Sequence, residues 1–143
     1  RKARDLAWHN RAWPERGTHM IGYVTLGTNR FEEAAKFYDE LLAEIGAGRI
    51  LESDRFTAWG TGMTSPAVSI AKPFDGKPAT VGNGVMVALA MQSPEKVDAI
   101  HAKALQLGGT DEGAPGPRSE QFYAGYFRDL DGNKLNAFCM TRG

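Results

Sequence analysis

Three histidines, one cysteine and four tyrosines, with 17 basic and 17 acidic residues, are the chemical repertoire of this 143-residue chain. A divalent-metal site needs imidazole or carboxylate donors that converge from separate elements. His9 and His19 fall in an irregular N-terminal stretch, and His101 lies beside the apolar stripe of a helical segment. None is on a strand-like run, and His101 reads as a partly buried structural residue or a surface one. Cys139 alternates with Phe138, which turns it toward the helices, where a free cysteine behaves as a small hydrophobe and a poor nucleophile. Paired carboxylates for acid–base work are missing from the strand positions that share a face. Lys72 or Tyr126 could act as a base only after a large pKa depression. The chain has no GxGxxG, no Walker sequence and no HExxH.

The elements that must position these residues follow from composition and period. With 42% hydrophobic and 24% charged residues, one globular domain with a sizeable core is expected. Zero formal net charge offers no field to gather phosphate backbones or anionic lipid, so neither nucleic acid nor membrane is an expected partner. The longest apolar runs, such as Val85 to Met91, are far shorter than the roughly 20 residues that cross a bilayer. One cysteine and the lack of a secretory pattern fit a cytoplasmic protein.

Residues 1–19 are rich in Arg and Trp and lack a clean period. They read as an N-terminal arm, either native or left by a cloning junction at His19-Met20, and the arm should pack Leu6, Trp8 and Trp13 on something. The domain proper is residues 20–143. Ile21 to Gly27 alternates as a half-buried strand does. Asn29 with Glu32 forms a capping box for a helix from Arg30 to Ile45. RILES, RFTAWGT and PAVSIAK then read as three short strands, which completes a first βαβββ unit over residues 20–73. After a loop rich in Pro, Gly and Lys the order begins again over residues 84–143. The second unit contains VMVALAM, a helix capped by Ser93 with Pro94 at its first position, a short strand at Thr110 to Glu112, and QFYAGYFRDL joined to NKLNAFCM at Asp131-Gly132-Asn133. Tyr23-Val24-Thr25-Leu26 aligns with Met86-Val87-Ala88-Leu89, as an internal duplication predicts. A ferredoxin-like sandwich with chance similarity is the alternative.

Three stretches together resemble the vicinal oxygen chelate superfamily, the glyoxalase/bleomycin-resistance/dioxygenase proteins. They are MIGYVTL before KFYDELLAEIG, NGVMVAL before VDAIHAKALQLGG, and the closing YFRDLDGNKLNAF, and the likeness runs from Met20 to Met140. The resemblance implies an α+β fold of two tandem βαβββ modules with curved mixed sheets around a cavity, commonly assembled as a homodimer. It also implies where a divalent metal would be held, on the first and last strands of each module. Those positions fall on Tyr23, Met86 and Asn136, and on a fourth near Ile70 or Lys72. Phenol, thioether and amide together match no common divalent site.

Strand alternation predicts the cavity lining independently of any metal. Tyr23 and Thr25 point inward from the first strand, Met86 and Ala88 from its counterpart, Tyr126 and Arg128 from the penultimate strand, and Asn136 and Phe138 from the last. Trp59 is a further candidate, of undetermined parity. Each aromatic has ordinary core packing as its competing role, and Arg128 has a surface ion pair with Asp129 or Asp131. Tyr126 gains weight because fosfomycin-resistance relatives place a substrate-contacting Tyr before the same turn.

Two functions follow. In one, the protein is a metal-free binder of a drug or aromatic metabolite, of the bleomycin-resistance type, with no cofactor. In the other, it is a lactoylglutathione-lyase-like or dioxygenase-like enzyme whose metal ligands lie outside the expected positions. Metal-free catalysis by Tyr23 or Tyr126 is a third and weaker possibility.

Overall fold

The computed structural model describes residues 19–141. The expectations for the arm therefore lie, apart from His19, outside the described residues. Two repeats of the same motif are present. Module one contains β1 (Tyr23–Gly27), α1 (Phe31–Ala43), β2 (Gly48–Glu52), β3 (Phe56–Gly60) and β4 (Ala67–Ala71). Module two contains β5 (Val87–Ala90), α2 (Pro94–Gln106), β6 (Thr110–Ser119), β7 (Phe122–Arg128) and β8 (Lys134–Met140). Each module forms its own four-stranded sheet, ordered β1-β4-β3-β2 and β5-β8-β7-β6. Both sheets are mixed, because β1 pairs parallel with β4, and β5 with β8, while the other ladders are antiparallel. In each module a helix and two antiparallel strands together form the long connection that such a parallel pair requires, the helix carrying the chain to the opposite edge of the sheet.

Period explains which face each element buries. On α1, Ala34, Ala35, Phe37, Tyr38, Leu41 and Leu42 are buried, an apolar stripe at helical spacing. On α2 the stripe is Val97, Ile100, His101 and Ala104. These stripes meet alternate strand residues, Leu26, Trp59 and Ile70 in module one and Leu89, Phe127, Leu135, Ala137 and Cys139 in module two, within one continuous core. Ser93 caps α2 as expected, its hydroxyl accepting from the Lys96 N–H at 3.2 Å ahead of Pro94.

The start of α1 differs from expectation. Its N-cap is Arg30, with no side-chain cap bond. Asn29 instead reaches outward: its amide accepts from the Ala79 N–H at 2.6 Å and donates to the Ala79 carbonyl at 3.0 Å. An amide that satisfies both groups of one distant residue is better placed there than in a single capping bond. β6 also departs from expectation, extending to Ser119 through Gly113–Arg118 rather than stopping at Glu112. Its two prolines are tolerated because β6 is an edge strand, interrupted by irregularities in register.

The DLDGN turn between β7 and β8 clasps the modules together. Asp129 is buried and its carboxylate accepts from the Tyr38 hydroxyl at 2.6 Å, the Asn133 side chain at 3.0 Å, and the backbone N–H of Asp131 and Asn133 at 2.9 Å each. Asp131 accepts from the Thr28 hydroxyl at 2.6 Å and the Asn29 N–H at 2.8 Å. Asn133 donates to the Gly27 carbonyl at 3.0 Å. The turn itself needs Gly132 at φ +89°, a conformation that a side chain would strain. Burial foremost, and then the Asp129 carboxylate, raise the Tyr38 phenol well above its ordinary pKa, so it remains a donor.

Candidate functional site

The sheet faces turned away from the helices carry the candidate site. In module one, Tyr23, Thr25, Phe56, Ser69 and Ala71 share this open face. Tyr23 and Phe56 meet edge to face with ring centroids 6.1 Å apart. The Thr25 and Ser69 hydroxyls are 2.8 Å apart, and Ser69 also lies 2.8 Å from the Val24 carbonyl, to which it donates. In module two, Ala88, Asn136, Phe138, Tyr126, Phe122 and Lys134 occupy the same face. Phe122 stacks on Phe138 at 5.5 Å, and the Arg118 guanidinium and Lys134 ammonium lie over the Tyr126 ring at 5.4 and 5.5 Å. The surroundings are thus aromatic, with cations on the module-two side.

Trp59 lies on the helix side of β3 rather than on the open face, and there it lines the apolar cleft between the modules together with Met86 and Ala88. It is 1% exposed on the helix side, where its indole N–H donates to Asp39 at 2.8 Å and its ring packs on Tyr38 at 5.5 Å. β3 parity decides the matter, since Phe56 and Ala58 take the open face and leave Thr57 and Trp59 to the core. Asp39 is in turn held by Arg49, whose two donors reach it at 2.8 Å each. These bonds, led by that of Arg49, lower the Asp39 carboxyl from its ordinary pKa. Arg128 makes a surface ion pair, but its partner is Glu112 at 2.8 Å rather than Asp129 or Asp131, and it donates also to the Gly132 carbonyl. His101 is buried, with Nε2 3.0 Å from Asp111 and 3.1 Å from the Tyr126 carbonyl, so it has structural partners within its own module.

Register corrects the fourth metal position. In module two Ala88 pairs with Asn136, and in module one the equivalent pairing is Thr25 with Ser69. The counterpart of Asn136 is therefore Ser69. Ile70 is buried on the helix side and Lys72 lies beyond the strand. The aligned pairs Tyr23/Met86 and Thr25/Ala88 fix parity within the first strands, but the pairing of Thr25 with Ser69 comes only from the folded register.

A phenol, a thioether, an amide and a hydroxyl do not fit a divalent ion. Zinc and its neighbours favour imidazole, thiolate or carboxylate, and a thioether suits soft copper. Among the described residues no group of three or more His, Cys, Asp or Glu stands close enough to hold a metal. Tyr23 and Met86 are 63% and 40% exposed, whereas Asn136 is 2% exposed with a buried Oδ1 that no protein donor satisfies. Of this set, Tyr23 and Met86 have the exposed surface to contact an organic molecule, while Ser69 and Asn136 lie buried beneath the face.

The unsatisfied oxygen of Asn136 carries a stability cost that an apolar residue of similar size would remove. Asn136→Leu is accordingly expected to leave stability unchanged or raise it by up to about 2 kcal/mol, as read from urea unfolding. A loss above about 1 kcal/mol would show that the amide is satisfied in the folded protein.

Cavities lie at both ends of this arrangement. One of about 600 Å³ is lined by Thr25, Phe56, Ala71, Lys72, Phe74 and Thr80 on the open face of module one. An apolar cleft of about 520 Å³ runs along β5 between the modules, with Val24, Leu42, Ile45, Ala67 and Met86 in its walls. No helix among the described residues is long and apolar enough to cross a membrane.

The family profile described as Glyoxalase/Bleomycin resistance protein/Dioxygenase superfamily matches residues 20–137. A solved glyoxalase/bleomycin resistance protein from Albidiferax ferrireducens T118 is 38% identical, covers 86% of this chain and 100% of its own, and superposes with a TM-score of 0.79. A hypothetical protein from S. aureus is 25% identical, with 86% and 95% coverage and a TM-score of 0.65. A lactoylglutathione lyase from Agrobacterium tumefaciens shares the fold at 17% identity, 83% and 92% coverage and a TM-score of 0.63. No curated protein matches the chain.

Proposed function

The chain belongs to the Glyoxalase/Bleomycin resistance protein/Dioxygenase superfamily, and from that premise we propose that it is a metal-free small-molecule-binding protein of the bleomycin-resistance type, sequestering a drug or aromatic metabolite. The observation that carries this reading is the make-up of the open faces. Where a metal would need imidazole or carboxylate, the strands expose Tyr23 and Met86 over the buried Asn136 and Ser69, with Phe56, Tyr126 and the stacked pair Phe122 and Phe138 on the same faces. Aromatic rings with a few fixed polar groups are the composition that holds a flat or amphipathic organic ligand.

Closure over the ligand is assigned to a second copy of the chain. Tyr23 on β1 and Met86 just before β5 are 63% and 40% exposed, apolar side chains beside the two sheet edges that a partner can cover. The edges of β1 and β5 are also unpaired on one side, so a homodimer can cover both. A cytoplasmic location completes the proposal, since the sole cysteine is buried and requires no oxidising compartment.

The test uses chelator-treated protein and the neutral aromatic probe N-phenyl-1-naphthylamine, followed by its fluorescence. Saturable binding is expected, and Tyr23→Ala and Phe138→Ala should each weaken it about 5–10-fold, the value of one aromatic contact. Light scattering should give twice the chain mass. Absence of saturable binding, or binding indifferent to both substitutions, would contradict the proposal.

A further inference from the structure

The open face of module one ends in a corner of unpaired cations. Arg55, just before β3, and Lys72, just after β4, line both the 600 Å³ cavity described above and an adjoining one of about 410 Å³, and Lys77 lines the latter. None of the three takes part in an ion pair among the described residues, whereas Arg30 and Arg49 of the same module are both paired with carboxylates. Arg55 donates to the Pro73 carbonyl at 2.9 Å, which leaves most of its five donors free. The Lys72 ammonium lies 5.5 Å from the centre of the Phe31 ring. One carboxylate, Asp75, stands in these walls, and it accepts from the backbone N–H of Lys77 at 3.0 Å.

The loop that closes the corner is held in place rather than loose. Asn29 binds both backbone groups of Ala79, Gly76 turns the chain at φ +75° with its N–H donating to the Pro73 carbonyl at 3.0 Å, and Pro73 and Pro78 flank the turn. The fixed loop backbone thus gathers three exposed cations against one carboxylate, and a guanidinium among them can grip two oxygens of an anion at once. Thr25 and Phe56 continue the same cavity onto the aromatic face.

We propose that this corner binds the anionic group, a carboxylate or phosphate, of an amphipathic ligand whose apolar part lies on Phe56 and Tyr23. The proposal rests on the metal-free binding function and names the ligand class for it. Arg55 and Lys72 select for the charge, and the aromatic face holds the remainder.

The experiment compares 8-anilinonaphthalene-1-sulfonate, whose sulfonate stands in for the carboxylate or phosphate, with neutral N-phenyl-1-naphthylamine. Both are titrated into the full chain and into an Arg55→Gln/Lys72→Gln variant whose melting curve matches wild type. The sulfonate probe should bind at least tenfold more weakly to the variant, while the neutral probe changes less than twofold, and Arg55→Lys should recover part of the loss. Added sodium chloride should weaken only the sulfonate probe. Competition by sodium benzoate or by inorganic phosphate assigns the anion. If neither competes, or if both probes respond alike to the variant, the anion site is overturned while the aromatic binding function stands. If wild type binds neither probe, both fall.

Discussion

Asp129→Ala is expected to destabilise the protein by about 3–5 kcal/mol, at the upper end of single-residue effects. The carboxylate accepts four donors inside the fold, and Tyr38, which is fully buried, would be left with an unpaired hydroxyl. Each bond to a charged acceptor contributes about 1.5–3 kcal/mol, but they are lost together and the turn relaxes, so the sum is not reached. The turn also carries Asp131 and Asn133, which hold Thr28, Asn29 and Gly27 of module one. Its loosening should therefore separate the modules rather than fray a loop. Thermal unfolding should show a midpoint about 10 to 15 °C lower. Tyr38→Phe, which removes one donor and keeps the ring, should cost about 1–2 kcal/mol. If Asp129→Ala costs less than about 1 kcal/mol, the turn is not the clasp described.

Trp59→Ala is the second large effect, expected at about 3–5 kcal/mol from the cavity left by a fully buried indole. Trp59→Phe keeps ring packing against Tyr38 and loses the bond to Asp39, so about 1–2 kcal/mol is expected. The pair of variants also tests the placement of Trp59. Because its side chain is on the helix face of β3, Trp59→Phe should leave the affinity for N-phenyl-1-naphthylamine within about twofold, whereas an open-face ring change costs more. A larger loss of affinity in a stably folded Trp59→Phe protein would return Trp59 to the ligand site.

Much of this architecture was legible because the two modules repeat one pattern. Period-2 runs at β1 and β8, the stripe on α1 and the Ser93-Pro94 cap were each strong local signals, and the DLDGN stretch marked the β7–β8 turn. What the residues alone could not convey was partnership across long separations. Asn29 fits a local capping box equally well in one dimension, and only the return of the loop to Ala79 gives its amide two better partners. The extension of β6 was hidden by Gly and Pro, which usually mark a loop and are accepted here because the strand is at an edge. Parity places Tyr23, Thr25, Tyr126, Asn136 and Phe138 on one side, but β3 is buried on both faces, so the FTAWG run shows no polar–apolar alternation that fixes the side of Trp59. Arg118 and Lys134 join the Tyr126 ring outside the predicted lining. Lys134 shares parity with Asn136 and could have been found, while Arg118 arrives through β6 irregularities that no simple period describes.

The central claim is that the open faces bind an organic molecule without a metal. Its most direct test is elemental analysis of the purified chain after chelation and reloading with nickel, zinc, manganese or iron, with the N-phenyl-1-naphthylamine affinity measured before and after. Retained metal well below one equivalent per chain, with unchanged probe affinity, is the predicted result. Near-stoichiometric metal that alters probe binding would contradict the account and make the chain a metal-dependent member of its superfamily.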